Sequence, residues 1–502
     1  MSDSATRHGS GTATAPDALP GPPAEPGRRS ALRRSASGLI EFIYRLAGST
    51  LATPRVALGV SLSGLILIMI VGVLSPNFNT LLPNHTGDPA QLKPIILPLS
   101  GHLWQLPWWL SFPLTYLAIV LQCLGLAGLL WANSRGWRPN PRHLFFAACV
   151  IVGLMVNITP VGSSDAASYA AYGHMVNWGF DPYTNGPAMT LGQANDYTKA
   201  VGWMWSNTPS VYGPLATWVQ QLAAWLGGPS PGATVHYLMI FNGAVFLGVG
   251  YFLLKTADDP VRATLMWVAN PVLIQQLVSG GHLDTYAAAA VVVGVQIARG
   301  GKNGWRYLAV GVAVGVACSF KINAGLVGAG LAWALVMRRE WWNLVRLGIG
   351  GGGTIAVLYS FYGLHSFKPL LSASGLVATP SPWRAFQLGV QALFGLFGHG
   401  DLGQTIASVA TSVAWPILMV VVAVLIYRRI SADQPAVVTV PFALCFSWIV
   451  VAPWSLPWYA ALAWVILVLM PRNPMTRWLT LVTVFLALMH SSGGGPAPWA
   501  NS

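Results

Sequence analysis

The chain is 502 residues long, 54% hydrophobic and only 8% charged, with a mean hydropathy of +0.56. Soluble globular chains carry about 25% charged residues, so a water-soluble enzyme or disordered scaffold is excluded and most of this chain must be solvated by lipid. The net charge of +13, from 27 Lys and Arg against 14 Asp and Glu, reports topology rather than a nucleic-acid partner, as the positions of the charges make plain. Cys123, Cys149, Cys318 and Cys445 each stand alone in an apolar run without CxxC spacing, which argues against a disulfide framework, a zinc site or a redox centre.

Residues 1–35 are rich in Pro, Ala, Gly and Ser, contain no apolar stretch long enough for a signal segment, and are expected to form a disordered cytoplasmic tail. Residues 36–55 mix Ile40, Phe42, Tyr44 and Leu46 with Glu41 and Arg45, the pattern of a short helix lying in the membrane interface. From 56 to 490 the apolar runs predict thirteen spans, at about 56–75, 112–132, 143–160, 235–254, 263–280, 284–298, 306–320, 322–337, 345–364, 404–427, 437–452, 458–470 and 476–490. The spans at 284–298, 306–320 and 458–470 are short for a crossing and are expected to be tilted or broken. Residues 161–234 form a long external segment; its one apolar stretch, Leu215–Leu226, is interrupted by Gln220 and Gln221 and is expected to be interfacial or re-entrant. Residues 491–502 form an external tail. With these choices the N-terminus is cytoplasmic, and of the basic residues only Lys93, Lys199, Lys321, Lys368 and Arg384 lie outside, an asymmetry that follows the positive-inside rule.

The predicted topology leaves Asp88, Asp165, Asp181, Asp196, Asp284 and Asp401 on the external side. Asp165, in Val161-Gly-Ser-Ser-Asp165, sits at the lip of a span beside lipid, where poor solvation would raise its pKa and suit it to general-base work; the alternative is a helix cap, since Ser163, Ser164 and Asp165 precede a plausible helix. Gly280-Gly281-His282-Leu283-Asp284 joins two spans and brings a His and an Asp to the same lip, unless His282 only caps a turn. Lys321 is an isolated cation between two spans, either a phosphate ligand or a snorkelling side chain. Arg384 has the geometry to fork a phosphate, or it pairs with Asp401. Trp458 belongs to a surplus of external tryptophans that includes Trp178, Trp205, Trp383 and Trp454; such rings form interfacial belts or flat platforms under sugar rings. The Asp181-Pro-Tyr sequence is expected to set a turn. No HExxH, P-loop or acidic pair at metal spacing occurs.

Five stretches in order resemble the polyprenyl-phosphate-mannose-dependent α-(1→6)-mannosyltransferases of the actinobacterial envelope, which have a GT-C glycosyltransferase fold. They are Ser164-Asp165-Ala-Ala-Ser-Tyr169 running to Gly179-Phe-Asp181-Pro182-Tyr183-Thr-Asn-Gly186-Pro187; Asn207-Thr-Pro-Ser-Val-Tyr212-Gly213-Pro214; Gly281-His282-Leu283-Asp284; Phe320-Lys321-Ile-Asn-Ala324; and Leu456-Pro457-Trp458-Tyr459. The resemblance implies an all-α polytopic membrane protein of the GT-C fold, with about thirteen transmembrane helices and external interfacial helices. It implies a donor of polyprenyl-phosphate mannose, a mannan or lipid-linked mannoside acceptor, and a plasma-membrane location with the active site outside. Carried over position by position, Asp165 matches the acid that deprotonates the acceptor hydroxyl, and Lys321 matches a lysine that holds the lipid phosphate. His282 and Asp284 match a His-x-acid turn, with Leu283 where the family has Asn, and Tyr169, Tyr212 and Trp458 stand in the matching motifs as substrate-binding candidates.

The expected reaction is inverting transfer, with Asp165 as base and Lys321 and Arg384 on the phosphate leaving group. Two cations suffice for a single phosphate, so no metal or other cofactor is expected. Three alternatives stand beside this reading: a transporter or flippase for a lipid-linked saccharide, a non-catalytic assembly subunit, and a GT-C enzyme using another polyprenyl-phosphate sugar such as arabinofuranose. A transporter places charge near mid-membrane and shows internal repeats, whereas this chain shows no repeat and gathers its polar residues at one lip.

Overall fold

Prolines and short polar side chains set where the helices begin. In the computed structural model, which describes residues 53–74, 106–201, 205–300, 303–379, 381–430 and 433–490, many helices open with Pro in their first turn. There the missing N–H costs nothing and the fixed φ suits the helix. The preceding residue often supplies the cap, as Asn140 does for Arg142 N–H, Ser230 for Ala233 N–H and Asp259 for Arg262 N–H. The tail expected at 1–35, most of the interfacial helix expected at 36–55 and the tail at 491–502 lie outside the described residues.

The principal helices are α1 (Pro54–Leu74), α2 (Trp108–Ser134), α3 (Pro141–Met155), α4 (Asp165–Asn177), α5 (Pro214–Gly227), α6 (Pro231–Thr256), α7 (Pro260–Met266), α8 (Asp284–Arg299) and α9 (Arg306–Cys318). They continue with α10 (Gly325–Met337), α11 (Trp341–Ser360), α12 (Lys368–Ala373), α13 (Pro382–Gly395), α14 (Gly400–Tyr427), α15 (Ala436–Val451), α16 (Ala460–Leu467) and α17 (Met475–Met489). Among the described residues all regular structure is helical. Among the described residues, four helices are long and apolar enough to cross a membrane: α1, Trp109–Ser134 of α2, α6 and α14. The α11 helix and Leu364–Ala373, bent by 109° at their junction, make a fifth if that pair is one span.

Other predicted spans fall on shorter apolar helices, for identifiable reasons. The span expected at 263–280 is broken: α7 stops at Met266, Asn270 caps a new start at Pro271, and Ile274–Ser279 is wound as a π-helix. The span expected at 345–364 ends at Ser360, before Gly363 turns the chain at φ +80°. The span expected at 458–470 keeps only eight residues of α-helix, α16, after a 3-10 turn at Pro457–Tyr459. Every residue of α16 is buried, which is why this helix is apolar all round. Its Trp464 Nε1–H donates to Thr483 Oγ1 of α17 at 2.9 Å.

The stretch expected to be interfacial or re-entrant is α5, an amphipathic helix. Ala216, Thr217, Gln220, Ala223 and Ala224 face the interior, while Leu222 and Trp225 are 48% and 70% exposed. It packs on α4 and α6.

The two ends of the bundle are chemically unlike. At one end the Arg-bearing loops meet one another: Arg138 and Arg472 both approach Asp259, at 3.5 and 4.0 Å, and Arg299 pairs with Asp258 at 2.6 Å. Arg262, buried there, donates to Met470 O at 2.5 Å. At the other end α4 and α5 meet the turn before α8, the break after α9 and the turn before α16.

Candidate functional site

Asp165 opens α4 immediately after the chain has been pinned to the π-helix by Val161 N–H donating to Ser279 O at 3.1 Å. Its own N–H goes to Ser163 Oγ at 3.1 Å, and among the described residues its carboxylate caps no backbone N–H. Instead Tyr169, one turn along α4, donates its hydroxyl to Asp165 Oδ2 at 3.3 Å, and His282 Nδ1 lies 3.4 Å from the same oxygen. The side chain is 19% exposed, so it remains reachable.

The turn at 280–284 divides its two polar side chains between two partners. Gly281 has φ +68°, and a Cβ there would stand 3.0 Å from Met239 Sδ and 3.3 Å from Ala166 Cβ, so only glycine lets the turn lie against α6 and the start of α4. From this turn His282 faces Asp165 and stacks on the Trp458 indole, with ring centroids 3.6 Å apart and planes 13° from parallel. Asp284 faces the other way and pairs with Lys321 Nζ at 2.6 Å, both side chains being buried.

Lys321 lies in the break between α9 and α10. The start of α5 docks on that break: Gly213 N–H donates to Phe320 O at 3.2 Å and Leu215 N–H to Ser319 O at 3.0 Å. A Cβ on Gly213 would sit 2.3 Å from Ser319 O and 2.5 Å from its carbonyl carbon. Gly213→Ala is therefore expected to destabilise the protein by about 1–3 kcal/mol, since the backbones must move apart; thermal unfolding in detergent measures it, and an unchanged midpoint would contradict this close approach. The Lys321 ammonium lies over the Tyr459 ring at 4.6 Å and over Tyr212 at 5.7 Å, and Tyr212 meets Tyr169 edge to face at 4.8 Å. Asp165, Tyr169, Tyr212, His282, Asp284, Lys321 and Trp458 thus form one connected cluster.

The electrostatics depart from expectation in one respect. Burial works to raise the Asp165 carboxyl, but the His282 imidazole, the Lys321 charge and Ser163 together outweigh it and hold Asp165 below the usual carboxylate range. The raised pKa read from its place beside lipid is corrected: sequence shows the poor solvation but not the two cation-capable neighbours. Burial drives the His282 imidazole down, and Asp165 offsets that only in part, so at neutral pH an ionised Asp165 faces a neutral His282. Among the described residues, no group of three or more His, Cys, Asp or Glu side chains stands placed to hold a metal ion.

Arg384 stands apart from the cluster. It lies in the first turn of α13, where its N–H donates to Ser381 Oγ at 3.2 Å, and among the described residues its guanidinium makes no ion pair, with Asp401 or any other acid. The adjacent Trp383 fixes that turn to the end of α15 through Nε1–H to Val451 O at 2.6 Å. Asp181 makes the expected turn, accepting Tyr183 N–H at 2.8 Å, and its second oxygen contacts His365 Nε2 at 2.5 Å. That pairing has no signal in the sequence, because 184 residues separate the partners. Tyr459, one wall of the Lys321 site, sits next to Trp458 in a stretch whose order was legible while its orientation was not.

Comparison with known proteins bears on this arrangement. A family described as "Alpha-(1->6)-mannopyranosyltransferase, N-terminal domain" matches residues 96–337. An alpha-(1->6)-mannopyranosyltransferase of Mycobacterium tuberculosis is 32% identical over 143 residues, 28% of this chain and 24% of that protein. Alpha-(1->6)-mannopyranosyltransferase B of Corynebacterium glutamicum is 26% identical over 262 residues, 48% of this chain and 43% of that protein. Alpha-(1->6)-mannopyranosyltransferase A of the same organism is 29% identical over 183 residues, 36% of each chain. The matches to these relatives therefore span from about a quarter to under half of their lengths. No solved structure matches the chain.

Proposed function

We propose that the chain is a member of the alpha-(1->6)-mannopyranosyltransferase family of actinobacteria, GT-C glycosyltransferases, and that it moves mannose, with inversion, from polyprenyl-phosphate mannose to a growing α-(1→6)-mannan on the external face of the plasma membrane. The observation that carries this reading is a reachable, ionised carboxylate, Asp165, held beside His282 and within electrostatic reach of Lys321. Asp165 takes the proton of the acceptor hydroxyl as its oxygen attacks the anomeric carbon. The bond from that carbon to the phosphate oxygen breaks, and polyprenyl phosphate leaves with the electron pair.

Lys321 stabilises the leaving phosphate. One of its N–H groups is held by Asp284, which leaves two for the phosphate. Arg384 is the second cation, reaching the phosphate from α13 once the donor is bound. Tyr212 lines the cup that holds the reacting sugars, and Tyr169, His282, Asp284 and Trp458, all buried, pack behind it and fix its shape. The acceptor is a mannan or lipid-linked mannoside, and the polyprenyl chain lies among membrane lipids.

The test is incubation of the detergent-purified protein with a short-chain polyprenyl-phosphate mannose and an α-(1→6)-mannoside acceptor, with sugar transfer followed by mass spectrometry. Product of the expected mass and linkage supports the reading. Absence of product with this donor, and product with polyprenyl-phosphate arabinofuranose, would replace the donor. Movement of an intact lipid-linked saccharide across vesicles would replace the reaction class.

The proposed topology has thirteen crossings with the N-terminus cytoplasmic. It is supported by the meeting of the Arg-bearing loops at one end and of the motif residues at the other. In a background with the four native cysteines replaced by alanine, Ser374→Cys is expected to react with an impermeant maleimide added to intact cells and Ser134→Cys only after lysis. The reverse pattern would invert the protein in the membrane.

A further inference from the structure

We propose that His282 is a positioning residue, with the Trp458 indole holding its ring and its Nδ1 holding Asp165 Oδ2 in the orientation that meets the acceptor hydroxyl. This rests on the reading of Asp165 as the base. His282 and Trp458 are each 1% exposed, so neither offers an open face to a sugar ring, and the face each turns to the other is filled. The imidazole is confined from a second direction as well: a Cβ on Gly280 would lie 2.6 Å from His282 Cδ2 and 2.7 Å from Nε2. Tyr459 packs edge-on against the indole, with planes at 86°, and fixes it in turn.

What this fixed ring presents to Asp165 is Nδ1. That atom is buried, lies 3.4 Å from Asp165 Oδ2, and is out of hydrogen-bond alignment, with no other partner among the described residues. A buried donor kept unpaired in an otherwise packed site has a use that the resting structure does not show. A long contact of this kind closes when substrate is bound and the carboxylate turns toward the proton it takes. In that closed state the neutral ring donates Nδ1–H to the ionised carboxylate, which sets the tautomer.

The groups facing Asp165 come from every element around it. Tyr169 and Tyr172 lie on its own helix, Tyr212 at the start of α5, His282 and Asp284 on the 280–284 turn, Lys321 in the α9–α10 break and Tyr459 in the turn before α16. Asp284 and Lys321 are committed to each other at 2.6 Å, and the Lys321 charge still helps to lower Asp165. Among the neighbours that lower the carboxyl, His282 acts ahead of Lys321 and Ser163. Without it burial dominates, the carboxyl rises, and the acid limb of the pH profile moves to higher pH, because activity requires the ionised form.

The test is the pH dependence of kcat/KM in His282→Leu, His282→Asn and Trp458→Leu, with Asp165→Asn run beside them. The Asn amide places an N–H near the position of Nδ1, so His282→Asn is expected to keep the limb near that of the wild type. His282→Leu is expected to move it up by about one pH unit, a loss of about tenfold on the acid side. Trp458→Leu is expected to move it in the same direction by less, through loss of the ring's support, and it supplies the test if His282→Leu does not fold. A loss by one constant factor at every pH, or a raised donor KM with the limb unmoved, would overturn the proposal and make His282 a packing or substrate-contacting residue. Transfer that persists in Asp165→Asn would instead overturn the assignment of the base.

Discussion

Asp165→Asn is expected to lower kcat by about 10²–10⁴-fold while donor binding is retained, the range that a positioned general base contributes. The substitution is nearly isosteric, the carboxylate caps no helix N–H among the described residues, and Tyr169 still finds an oxygen to donate to. Folding should therefore survive and the loss should fall on the chemical step. The sign of the pH dependence follows from the depressed carboxyl. Asp165 is ionised throughout the neutral range, so wild-type transfer is flat there and falls only as the pH drops through the lowered pKa. Single-turnover transfer and donor binding by tryptophan fluorescence separate the two quantities. A variant with unchanged kcat would remove Asp165 as the base, and one with lost donor binding but unchanged kcat would make it a substrate ligand.

Lys321→Met is expected to cost about 3–5 kcal/mol of stability, because it strands the Asp284 carboxylate away from water. The pair is bonded at 2.6 Å, with side chains 9% and 1% exposed, so little water is available to replace the ammonium. The double variant Lys321→Met, Asp284→Leu should recover most of that stability, since an apolar pair of similar volume carries no desolvation penalty. It should nonetheless stay inactive if Lys321 also serves the leaving phosphate. Thermal unfolding in detergent and the transfer assay read these two effects separately. A double variant that regains both would reduce Lys321 to a structural counter-ion, and a single variant as stable as the wild type would show that the pair contributes nothing to the fold.

Much of the site was legible because its markers are local. Gly213 and Gly281, in two of the motifs quoted, stand where backbones approach too closely for a Cβ, at Ser319 and at Met239 with Ala166. Asp165, His282, Asp284 and Lys321 lie at breaks between apolar runs, and hydropathy locates breaks well. The helix breaks themselves were less legible. Asn270-Pro271 interrupts an apolar stretch that hydropathy reads as continuous, since a transfer scale counts surface and not hydrogen-bond geometry.

The sequence by itself determined that this is an all-helical, lipid-solvated chain, where its polar breaks fall, and which family it resembles, because composition, periodicity and short motifs are properties of neighbouring residues. Tertiary structure alone decided the pairings. Lys321 goes to Asp284 before any phosphate arrives, His282 goes to Asp165 and Trp458, Asp181 reaches His365, and Arg384 stands apart. It also decided the sign of the Asp165 shift, which runs opposite to the expectation from burial alone. The physical reason is common to all of these: the energy of a buried charge depends on which groups lie within a few ångströms of it, and here those groups arrive from segments 37 to 184 residues away along the chain.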